Sequence, residues 1–485
     1  MKGYKMEYII KGRHPEKFFN YFEEISAIPR GSGNEKGIAD YIVEFAKARD
    51  LFFYRDDTNN VFVRLPATEG REGERALMLQ GHTDMVCEKN FDTVHDFEKD
   101  GIRLVLDGDL LRADGTTLGA DNGVAVALML AILDGELSSH PTIECLFTTS
   151  EEVGLDGAKA FDYSLVTAST MLNLDSEGEG IATVSCAGGV RSDLVMSPNT
   201  ISCNKAAVMI KLSGLAGGHS GAEIHCGRAN ANKLMGRVLA ALISKVDFNL
   251  VAIEGGSKDN AIPRECRAVI ALDGSDADKA IDIISEQKNI IANELCAADA
   301  DMSIACEKMG DVHYCFDSDS TKKAVTLMAT VANGVFAMSN DIKDLVEYSR
   351  NLGVIKSEKD KITFVFSARS STEGLIDQSQ TELDLLSELC SCSARHYSRY
   401  PGWRYEKNSE IREKYIISAK KIFGYEPKIM AIHAGLECGI IKSHIPNMDM
   451  ISIGPEMRDI HSPAEVLDLP SCERFWLLIE DMLKN

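Results

Sequence analysis

The sequence predicts an α/β protein in which a mainly parallel sheet flanked by helices carries an inserted α+β domain of two layers. Three observations support this prediction. Helical patterns alternate with short strands from the start of the chain to about Ala187, the pattern changes there, and the alternation returns after Pro401. Such alternation is typical of parallel sheets covered by helices. We therefore expect one domain formed by residues 1–186 and 402–485 and a second domain inserted as residues 187–401.

The first domain begins with two segments that have apolar residues at helical spacing, HPEKFFNYFEEISAI and EKGIADYIVEFAKARD. Four β-rich runs follow as predicted strands: NVFVRL, RALMLQGH, TIECLFTTS and TMLNLD. Between the second and third of these strands, ADNGVAVALMLAILDGEL predicts a buried helix that Asp121 precedes. After Pro401 we expect helix SEIREKYIISAKKIFG, strands KIMAIHAG and MDMISIGP, and a final helix CERFWLLIEDMLKN.

The inserted domain has a similar order of elements twice. The first pass contains strand AAVMIKLSGLAGG, helix NANKLMGRVLAALISKV, strand ECRAVIALDG and helix DADKAIDIISEQKNIIANEL. The second contains helix TKKAVTLMATVANGVF, strand KITFVFSARSS and helix SQTELDLLSELCSCSARHY. The passes share little residue identity, and the alternative is that helix and strand runs recur in any α/β protein. We interpret the repeated order as an internal duplication.

Composition narrows the class of protein. A chain of 485 residues exceeds the size of a single core and indicates at least two domains. The net charge of −22 argues against nucleic acid or an anionic membrane as a partner. The 13 cysteines are scattered, which favours reduced thiols over a disulfide framework. No apolar run is long enough to span a bilayer and the N-terminal segment does not resemble a signal peptide, so we expect a cytoplasmic protein.

Five side chains of metal-binding type each follow an apolar run that predicts a buried strand. They are His82, Asp121, Glu152, Asp175 and His461. Taken singly, each is more often a cap or loop residue. Because ligand sites of α/β sheets collect at the carboxyl ends of the strands, we expect the five to converge in one crevice. Two imidazoles and three carboxylates suit two divalent cations with one bridging carboxylate, and zinc, cobalt or manganese would be accepted.

Two further carboxylates accompany these ligands. In GHTDMV, Asp84 follows His82 by two positions and can accept the second ring N–H of that imidazole. In SEEVG, Glu151 and Glu152 are adjacent, so one can bind metal while the other takes a proton from metal-bound water. We assign Glu152 to the metal and Glu151 to the general base. A helix-capping pair or a solvated acidic loop is the structural alternative for these glutamates.

The motifs that carry these residues resemble those of a known enzyme family. GHTDMV, GADNGVA, SEEVG, LNLDSE and IHSPAE are similar, in this order, to the metal-site motifs of zinc peptidases of the aminoacylase and glutamate carboxypeptidase type. The segments GGHSGAEIH, GGSKDNAIP, FSARSS and HAGLECG further resemble bacterial aminoacyl-histidine dipeptidases, which are carnosinase-like enzymes. The resemblance extends over nearly the whole chain.

The resemblance implies a role for each metal-site residue. Asp121 would bridge two metal ions. His82 and Asp175 would complete one site, and Glu152 and His461 the other. Asp84 would orient its neighbouring imidazole. The resemblance also implies a cis peptide bond between Asp121 and Asn122.

For the inserted domain, which acts as a lid in such enzymes, the resemblance implies substrate contacts. His219 would donate to the oxyanion of the tetrahedral intermediate, while Asn260, Arg369 and the loop around Gly435 would hold the substrate. Arg369 can fork onto a terminal carboxylate, although a surface salt bridge explains it equally well. We place Glu437 near the substrate's charged amine. His225, His433 and His444 are left without a role, and a monomer and a homodimer are both compatible with the sequence.

These assignments predict a metallo-dipeptidase that hydrolyses the peptide bond with metal-bound hydroxide as nucleophile and Glu151 as general base. The resemblance implies Xaa-His dipeptides, such as β-alanyl-histidine, as substrates. One alternative is an N-acyl amino acid deacylase or desuccinylase on the same scaffold. Another is an inert relative that binds only amino acids or metal, but such a protein would not need a free Glu151 carboxylate. The sequence has no G-x-S-x-G, Walker A, G-x-G-x-x-G or H-E-x-x-H motif, which argues against the classes that those motifs mark.

Overall fold

The computed structural model of the protein describes residues 7–295 and 297–484, which form two compact units. The first unit contains the chain up to Ser185, residues Tyr405–Ala431 and the chain from Leu436 onward. The second unit contains Cys186–Arg404 and Ile432–Gly435. The division expected from the sequence assigned Cys186, residues 402–404 and residues 432–435 to the first domain, whereas in the structure they group with the second unit.

The helices of the described residues have the following bounds. They are α1 (Glu16–Ser26), α2 (Lys36–Ala48), α3 (Ala120–Leu133), α4 (Asp156–Ala160), α5 (Ala231–Ile243), α6 (Ala277–Leu295), α7 (Ser318–Thr330), α8 (Glu373–Leu389), α9 (Glu410–Phe423), α10 (Glu437–His444) and α11 (Leu469–Lys484). None of these helices is long and apolar enough to cross a membrane.

The strands of the described residues are also given in chain order. They are β1 (Phe52–Arg55), β2 (Val61–Leu65), β3 (Leu77–His82), β4 (Leu104–Asp107), β5 (Leu110–Ala113), β6 (Ile143–Thr148), β7 (Thr170–Asn173), β8 (Ile181–Cys186), β9 (Gly188–Met196), β10 (Thr200–Ser213), β11 (Gly218–His219), β12 (Phe248–Gly255), β13 (Ala261–Ile262), β14 (Cys266–Leu272), β15 (Ser303–Phe316), β16 (Gly334–Met338), β17 (Val346–Glu358), β18 (Lys361–Ser370), β19 (Cys392–Tyr400), β20 (Lys428–Ile432), β21 (Asp449–Ile453), β22 (Met457–Arg458) and β23 (Val466–Asp468).

The first unit is built on a mixed sheet with the strand order β1-β2-β6-β3-β7-β21-β8-β20. The central strands β6, β3, β7 and β21 are parallel to one another. The pairings of β1 with β2, β2 with β6 and β8 with β21 are antiparallel. β3 and β6 are buried along their whole length, as expected for strands of a covered parallel sheet. The predicted α/β architecture is confirmed in these four central strands, and the antiparallel strands lie toward the sheet edges.

Parallel strands bring the candidate ligands to one edge of this sheet. β3 ends at His82, and Glu152 and Asp175 follow the ends of β6 and β7. Helix α3 starts one residue before Asp121, but Asp121 and Asn122 have non-helical backbone angles, so the regular helix begins after them. All residues of α3 are buried, in agreement with the predicted buried helix. The peptide bond between Asp121 and Asn122 is cis, as the resemblance implied.

The second unit has two layers, in which helices α5 to α8 pack against a sheet with the order β15-β10-β14-β12-β17-β18-β9-β19. Along β10, the side chains of Val208, Ile210 and Leu212 are fully buried, whereas Lys211 is exposed. Successive side chains of a strand point to opposite faces of the sheet. The apolar residues at every second position therefore determine which face the helices cover.

The second unit contains one fold twice. One copy consists of β10, α5, β12, β14, α6 and β15, and the other of β9, α7, β17, β18, α8 and β19. In both copies the strands lie in the order fourth, first, third, second. The copies join where β12 pairs antiparallel with β17, at Glu254 and Lys356. The predicted duplication is confirmed, but β9, the first strand of the second copy, precedes the whole first copy in sequence, which the sequence pattern did not reveal.

Candidate functional site

The carboxylate of Asp121 lies between two imidazoles in the first unit. Its Oδ1 is 3.0 Å from Nε2 of His82, and its Oδ2 is 3.0 Å from Nε2 of His461. His82 is buried at the end of β3, and His461 is half exposed in the loop that joins β22 to β23. Each oxygen of Asp121 therefore faces a different imidazole nitrogen, as a carboxylate that bridges two ions would.

Glu152 and Asp175 add one carboxylate on each side of Asp121. Asp175 Oδ1 lies 3.4 Å from Nε2 of His82, and Glu152 Oε1 lies 2.9 Å from Nε2 of His461. Ligand atoms of His82, Asp121 and Glu152 lie within 4.8 Å of one another. The structure thus brings all five candidate ligands together, with His82 and Asp175 on one side of Asp121 and Glu152 and His461 on the other.

This donor set fits divalent cations. Three carboxylates meet in a small, largely buried volume, and such charge is stable only beside positive charge. Hydrogen bonds to Asp121 and Glu152 raise the pKa of His461 to about 10, so cationic charge is strongly favoured here. Apart from the imidazole of His461 at 2.9 Å, the buried Glu152 Oε1 has no hydrogen-bond donor among the described residues. Imidazole nitrogens and carboxylate oxygens are suitable ligands for zinc, cobalt and manganese.

Asp84 contacts both His82 and the two glutamates. The backbone oxygen of Asp84 lies 3.1 Å from Nδ1 of His82, and its carboxylate Oδ1 lies 3.3 Å from the same nitrogen. The carboxylate also accepts the backbone N–H groups of Glu151 and Glu152 and the hydroxyl of Ser32. Asp84 is therefore in an orienting position. β3 ends at His82, so Asp84 lies just beyond the strand that carries the imidazole it orients.

Two buried charged residues hold the turn that carries Asp121, and sequence reasoning missed both. The carboxylate of Glu465 accepts the four backbone N–H groups of residues 118–121 at 2.7–3.3 Å. Arg30 donates to the backbone carbonyl of Gly119 and to two carbonyl groups just beyond β3. Both side chains are 2% exposed. In the sequence, Glu465 is marked only by its place as the last residue of the motif IHSPAE.

Glu151 is held by its backbone, and its carboxylate has no hydrogen-bond partner in the described part of the chain. Its N–H donates to Asp84 Oδ1 at 3.1 Å. Burial raises the pKa of Glu151 well above its usual range; His82 opposes this shift, and the carboxylates of Asp175 and Glu152 add to it. No hydrogen bond of its carboxylate to a described residue contributes to that shift. A carboxylate with a raised pKa beside a candidate ligand is suited to accept a proton.

In the second unit, His219 and Asn260 lie side by side. β11 carries His219 and pairs with β13, which begins directly after Asn260. The carbonyl of Asn260 accepts the backbone N–H of Ser220 at 2.9 Å. This short two-stranded ladder therefore fixes the loop that presents the His219 ring.

The ring of His219 is held in one tautomer. Its Nδ1 accepts the backbone N–H groups of Gly221 and Ala222 at 3.3 and 3.0 Å. Because a backbone N–H can only donate, a neutral ring must carry its proton on Nε2. Burial lowers the pKa of His219, and the positive charge of Arg369 lowers it further, so the ring stays neutral. The Nε2–H group is therefore available as a donor.

Arg369, on β18, has an unusual set of contacts. One terminal nitrogen donates to the hydroxyl of Tyr400 at 3.0 Å. Its Nε is buried and makes no hydrogen bond in the part of the chain that the structure describes. Gly435 packs against the same tyrosine, since a Cβ at Gly435 would lie 2.9 Å from a ring carbon of Tyr400. Arg369 and Gly435 thus meet through a residue that sequence reasoning did not select.

Two of the three unassigned histidines, His433 and His444, contact neighbouring side chains in a way that indicates a structural role. Nε2 of His433 lies 2.7 Å from the hydroxyl of Ser349, and burial, with Arg369 and His225 nearby, lowers the pKa of His433 to about 3. His433 is therefore a neutral, hydrogen-bonded core residue of the second unit. His444, in the first unit, stacks on Tyr163 with ring centroids 4.7 Å apart.

Glu437 does not lie where a substrate contact requires it. Its side chain is 0% exposed at the start of α10, and its Oε2 accepts from the Gln80 amide and the Thr148 hydroxyl. Gln80 precedes His82 by two positions on β3, so the two side chains share one face of the sheet. We therefore correct the expectation: Glu437 is fully buried and binds side chains of β3 and β6, so it supports the strands that carry the ligands.

Two family profiles match parts of the chain. Peptidase family M28 matches residues 60–208, and the peptidase dimerisation domain of the M20 type matches residues 210–298. Among curated proteins, the cytosol non-specific dipeptidase of Escherichia coli (strain K12) is 36% identical over 473 residues, which cover 97% of this chain and 98% of the relative.

Solved structures resemble the chain over its whole length. The aminoacylhistidine dipeptidase from Vibrio alginolyticus has a TM-score of 0.92 and 36% identity, with 100% of this chain and 99% of that chain covered. The aminopeptidase PepT from Bacillus cereus has a TM-score of 0.55 and 16% identity, with 97% and 98% covered. At this low identity the second likeness concerns the fold alone.

Proposed function

Since the chain belongs to the M20 family of metallopeptidases and is a metallo-dipeptidase, we propose that its two imidazoles and three carboxylates hold two divalent ions. The observation that carries this proposal is the Asp121 carboxylate, whose two oxygens each lie 3.0 Å from a different imidazole. Asp121 would bridge the ions, His82 and Asp175 would complete one site, and Glu152 and His461 the other. Zinc suits these ligands best, and cobalt or manganese would also fit.

We propose Glu151 as the general base. When bound, the ions would polarise the peptide carbonyl and lower the pKa of the attacking water. The carboxylate of Glu151 would take the proton of that water and pass it to the leaving amine. Its raised pKa and its backbone hydrogen bond to Asp84 support this role. Asp84 would act by orienting His82.

We propose that His219 donates to the oxyanion through Nε2. Its Nδ1 is occupied by two backbone N–H groups, and its lowered pKa keeps it neutral, so the proton required for donation is on the correct nitrogen. Donors directed at developing charge lower the barrier of amide hydrolysis. Asn260, beside His219, and the loop at Gly435 would position the substrate.

We propose that Arg369 binds the terminal carboxylate of the substrate. A guanidinium fork matches a carboxylate, and in the described part of the chain its Nε has no acceptor. The substrates would be dipeptides with a free amino end, and histidine would be accepted at the carboxyl position. The Escherichia coli relative is named non-specific and the Vibrio alginolyticus structure is named for aminoacylhistidine substrates, so we expect β-alanyl-histidine and several neutral dipeptides to be cleaved.

We also propose a location and an assembly. The Escherichia coli relative is a cytosol enzyme, which supports the cytoplasm as the location of this chain. The match to a peptidase dimerisation domain supports a homodimer. Light scattering of the purified protein at several concentrations would measure its mass, and a constant monomer mass would overturn the homodimer.

A substrate panel tests the proposed function. β-Alanyl-histidine, glycyl-histidine and neutral dipeptides are compared with N-acetyl and N-succinyl amino acids, with added divalent metal and after chelation. We expect metal-dependent cleavage of the dipeptides. Faster cleavage of the acylated compounds would assign the chain to the deacylases instead, and undiminished activity after complete metal removal would overturn the metal centre.

A further inference from the structure

Arg369, Gly189 and Tyr400 form one row across three adjacent strands of the second unit. Gly189 of β9 is paired with Arg369 of β18 on one side and with Tyr400 of β19 on the other. Residues directly opposite each other in a sheet project their side chains from the same face. The side chains of Arg369 and Tyr400 therefore leave the sheet on one face, with a glycine between them.

Gly189 allows these two side chains to meet. Strands on either side of a central strand are about 10 Å apart, so their side chains normally do not touch. A Cβ at Gly189 would lie 2.8 Å from the Tyr400 hydroxyl oxygen. The absence of a side chain at Gly189 therefore leaves room for this hydroxyl. This oxygen accepts a hydrogen bond from Arg369 at 3.0 Å. The tyrosine ring also packs against Gly435.

Among the described residues, this contact leaves the Tyr400 hydroxyl and the buried Nε of Arg369 without an acceptor. The Tyr400 oxygen accepts from Arg369, so its own O–H group remains able to donate. The Nε of Arg369 is buried and makes no hydrogen bond with any residue that the structure describes. Buried donors without an acceptor are unfavourable. Two donors and a positive charge at one place are complementary to a carboxylate, which offers two acceptor oxygens.

We propose that Tyr400 is a substrate-binding residue, which donates its hydroxyl proton to the terminal carboxylate of the dipeptide beside Arg369. The proposal rests on the proposed function, in which Arg369 meets that carboxylate. It deepens that function by naming a second specificity residue: with Tyr400, dipeptides with a free carboxyl end bind better than the same dipeptides with a carboxamide end, because an amide offers less charge and only one acceptor atom. Its NH₂ group would also face the donors of Arg369 and Tyr400.

Steady-state kinetics on a dipeptide and on its carboxamide test this inference. Tyr400→Phe keeps the ring against Gly435 and removes only the hydroxyl. We expect KM for the free-acid dipeptide to rise roughly tenfold, the loss of one hydrogen bond to a charged group, with kcat unchanged and with kcat/KM for the carboxamide unchanged. Tyr397→Phe is the matched control, since Tyr397 lies on the same strand and its hydroxyl donates to Asp193; this variant should behave as wild type toward both substrates.

Two further variants separate this inference from the role of Arg369. Arg369→Met should lose most of the preference for the free acid, and the double variant with Tyr400→Phe should lose more than Arg369→Met alone. If Arg369→Met keeps the full preference, the proposed role of Arg369 fails, whatever Tyr400→Phe does. If Arg369→Met loses the preference but Tyr400→Phe is indistinguishable from wild type, or lowers both substrates equally, the role of Tyr400 is overturned. If the double variant loses no more of this preference than Arg369→Met alone, direct donation by Tyr400 is overturned, and Tyr400 only positions Arg369.

Discussion

The Glu465 side chain binds the backbone N–H of Asp121, so the Asp121 side chain remains available to other groups. Glu465 Oε1 accepts the Asp121 N–H at 3.3 Å, while the Asp121 carboxylate faces His82 and His461. Glu465 also accepts the N–H groups of residues 118–120. One buried carboxylate thus fixes four successive peptide groups. We infer that Glu465 determines the direction in which the Asp121 carboxylate points.

We therefore predict that Glu465→Gln weakens metal binding. The substitution replaces one acceptor oxygen by an NH₂ group that faces backbone N–H donors, so the turn must shift. Loss of a residue that orients a ligand typically lowers metal affinity by about 10–100-fold. Zinc affinity is measured by competition with a chelating dye, and Glu413→Gln, a substitution of an exposed glutamate, is the control. Unchanged affinity in Glu465→Gln would contradict the positioning role.

A second prediction concerns the two adjacent glutamates. Glu151→Gln should retain its metal content but lose a factor of about 10²–10⁴ in kcat, because the amide keeps the volume and removes the proton acceptor. Glu152→Gln is the matched comparison and should lose metal, since its Oε1 lies 2.9 Å from Nε2 of His461. Metal content is measured by elemental analysis beside the kinetics. Near-wild-type turnover of Glu151→Gln would require the two roles to be exchanged or abandoned.

The contrast between ligands and their supports explains what the sequence could predict. His82 and Asp175 were predictable because parallel strands place their carboxyl ends at one edge, and strand ends are visible as apolar runs. Glu465 was not, because its partners are backbone N–H groups, which every residue possesses. Its importance depends on how the turn at residues 118–121 folds.

The wrong role assigned to Glu437 and the omission of Tyr400 have the same physical cause. Glu437 follows Gly435 closely in sequence, but it opens helix α10 and its side chain is fully buried, so proximity along the chain did not place it in the same surroundings. Tyr400 became relevant only because β9 pairs with both β18 and β19. Such pairings join residues distant in sequence, and no local pattern specifies them.

A third prediction concerns metal stoichiometry. Metal-replete protein should contain two divalent ions about 3.5–4 Å apart, as in other two-metal hydrolytic sites. Asp121→Ala should bind at most one ion, because it removes the one carboxylate among the described residues that contacts both imidazoles. Anomalous scattering and elemental analysis measure the number of ions. A single stoichiometric site in metal-replete wild-type protein would contradict the bridging role of Asp121.

The last prediction is a pH dependence of stability that originates in the second unit. Burial and the positive charge of Arg369, with contributions from His225 and His219, lower the pKa of His433 from the usual 6.5 to about 3. A histidine with a depressed pKa binds fewer protons in the folded state than in the unfolded state between these values. Its contribution to stability is therefore complete above pH 6.5 and is lost as the pH falls toward 3. At pH 5 this loss amounts to about 2 kcal/mol, at 1.36 kcal/mol per pKa unit.

Replacement of His433 by glutamine should remove this dependence, because the amide does not titrate and can still hydrogen-bond to Ser349. Denaturant unfolding of wild type and His433→Gln is measured at about pH 7.5 and about pH 5. Between these pH values the wild type should lose about 2 kcal/mol more of its unfolding free energy than the variant. His313→Gln, at an exposed histidine, controls for general acid effects and should follow the wild type. If His433→Gln and wild type lose the same free energy, His433 is not the buried neutral group that its contact with Ser349 and the charge of Arg369 indicate.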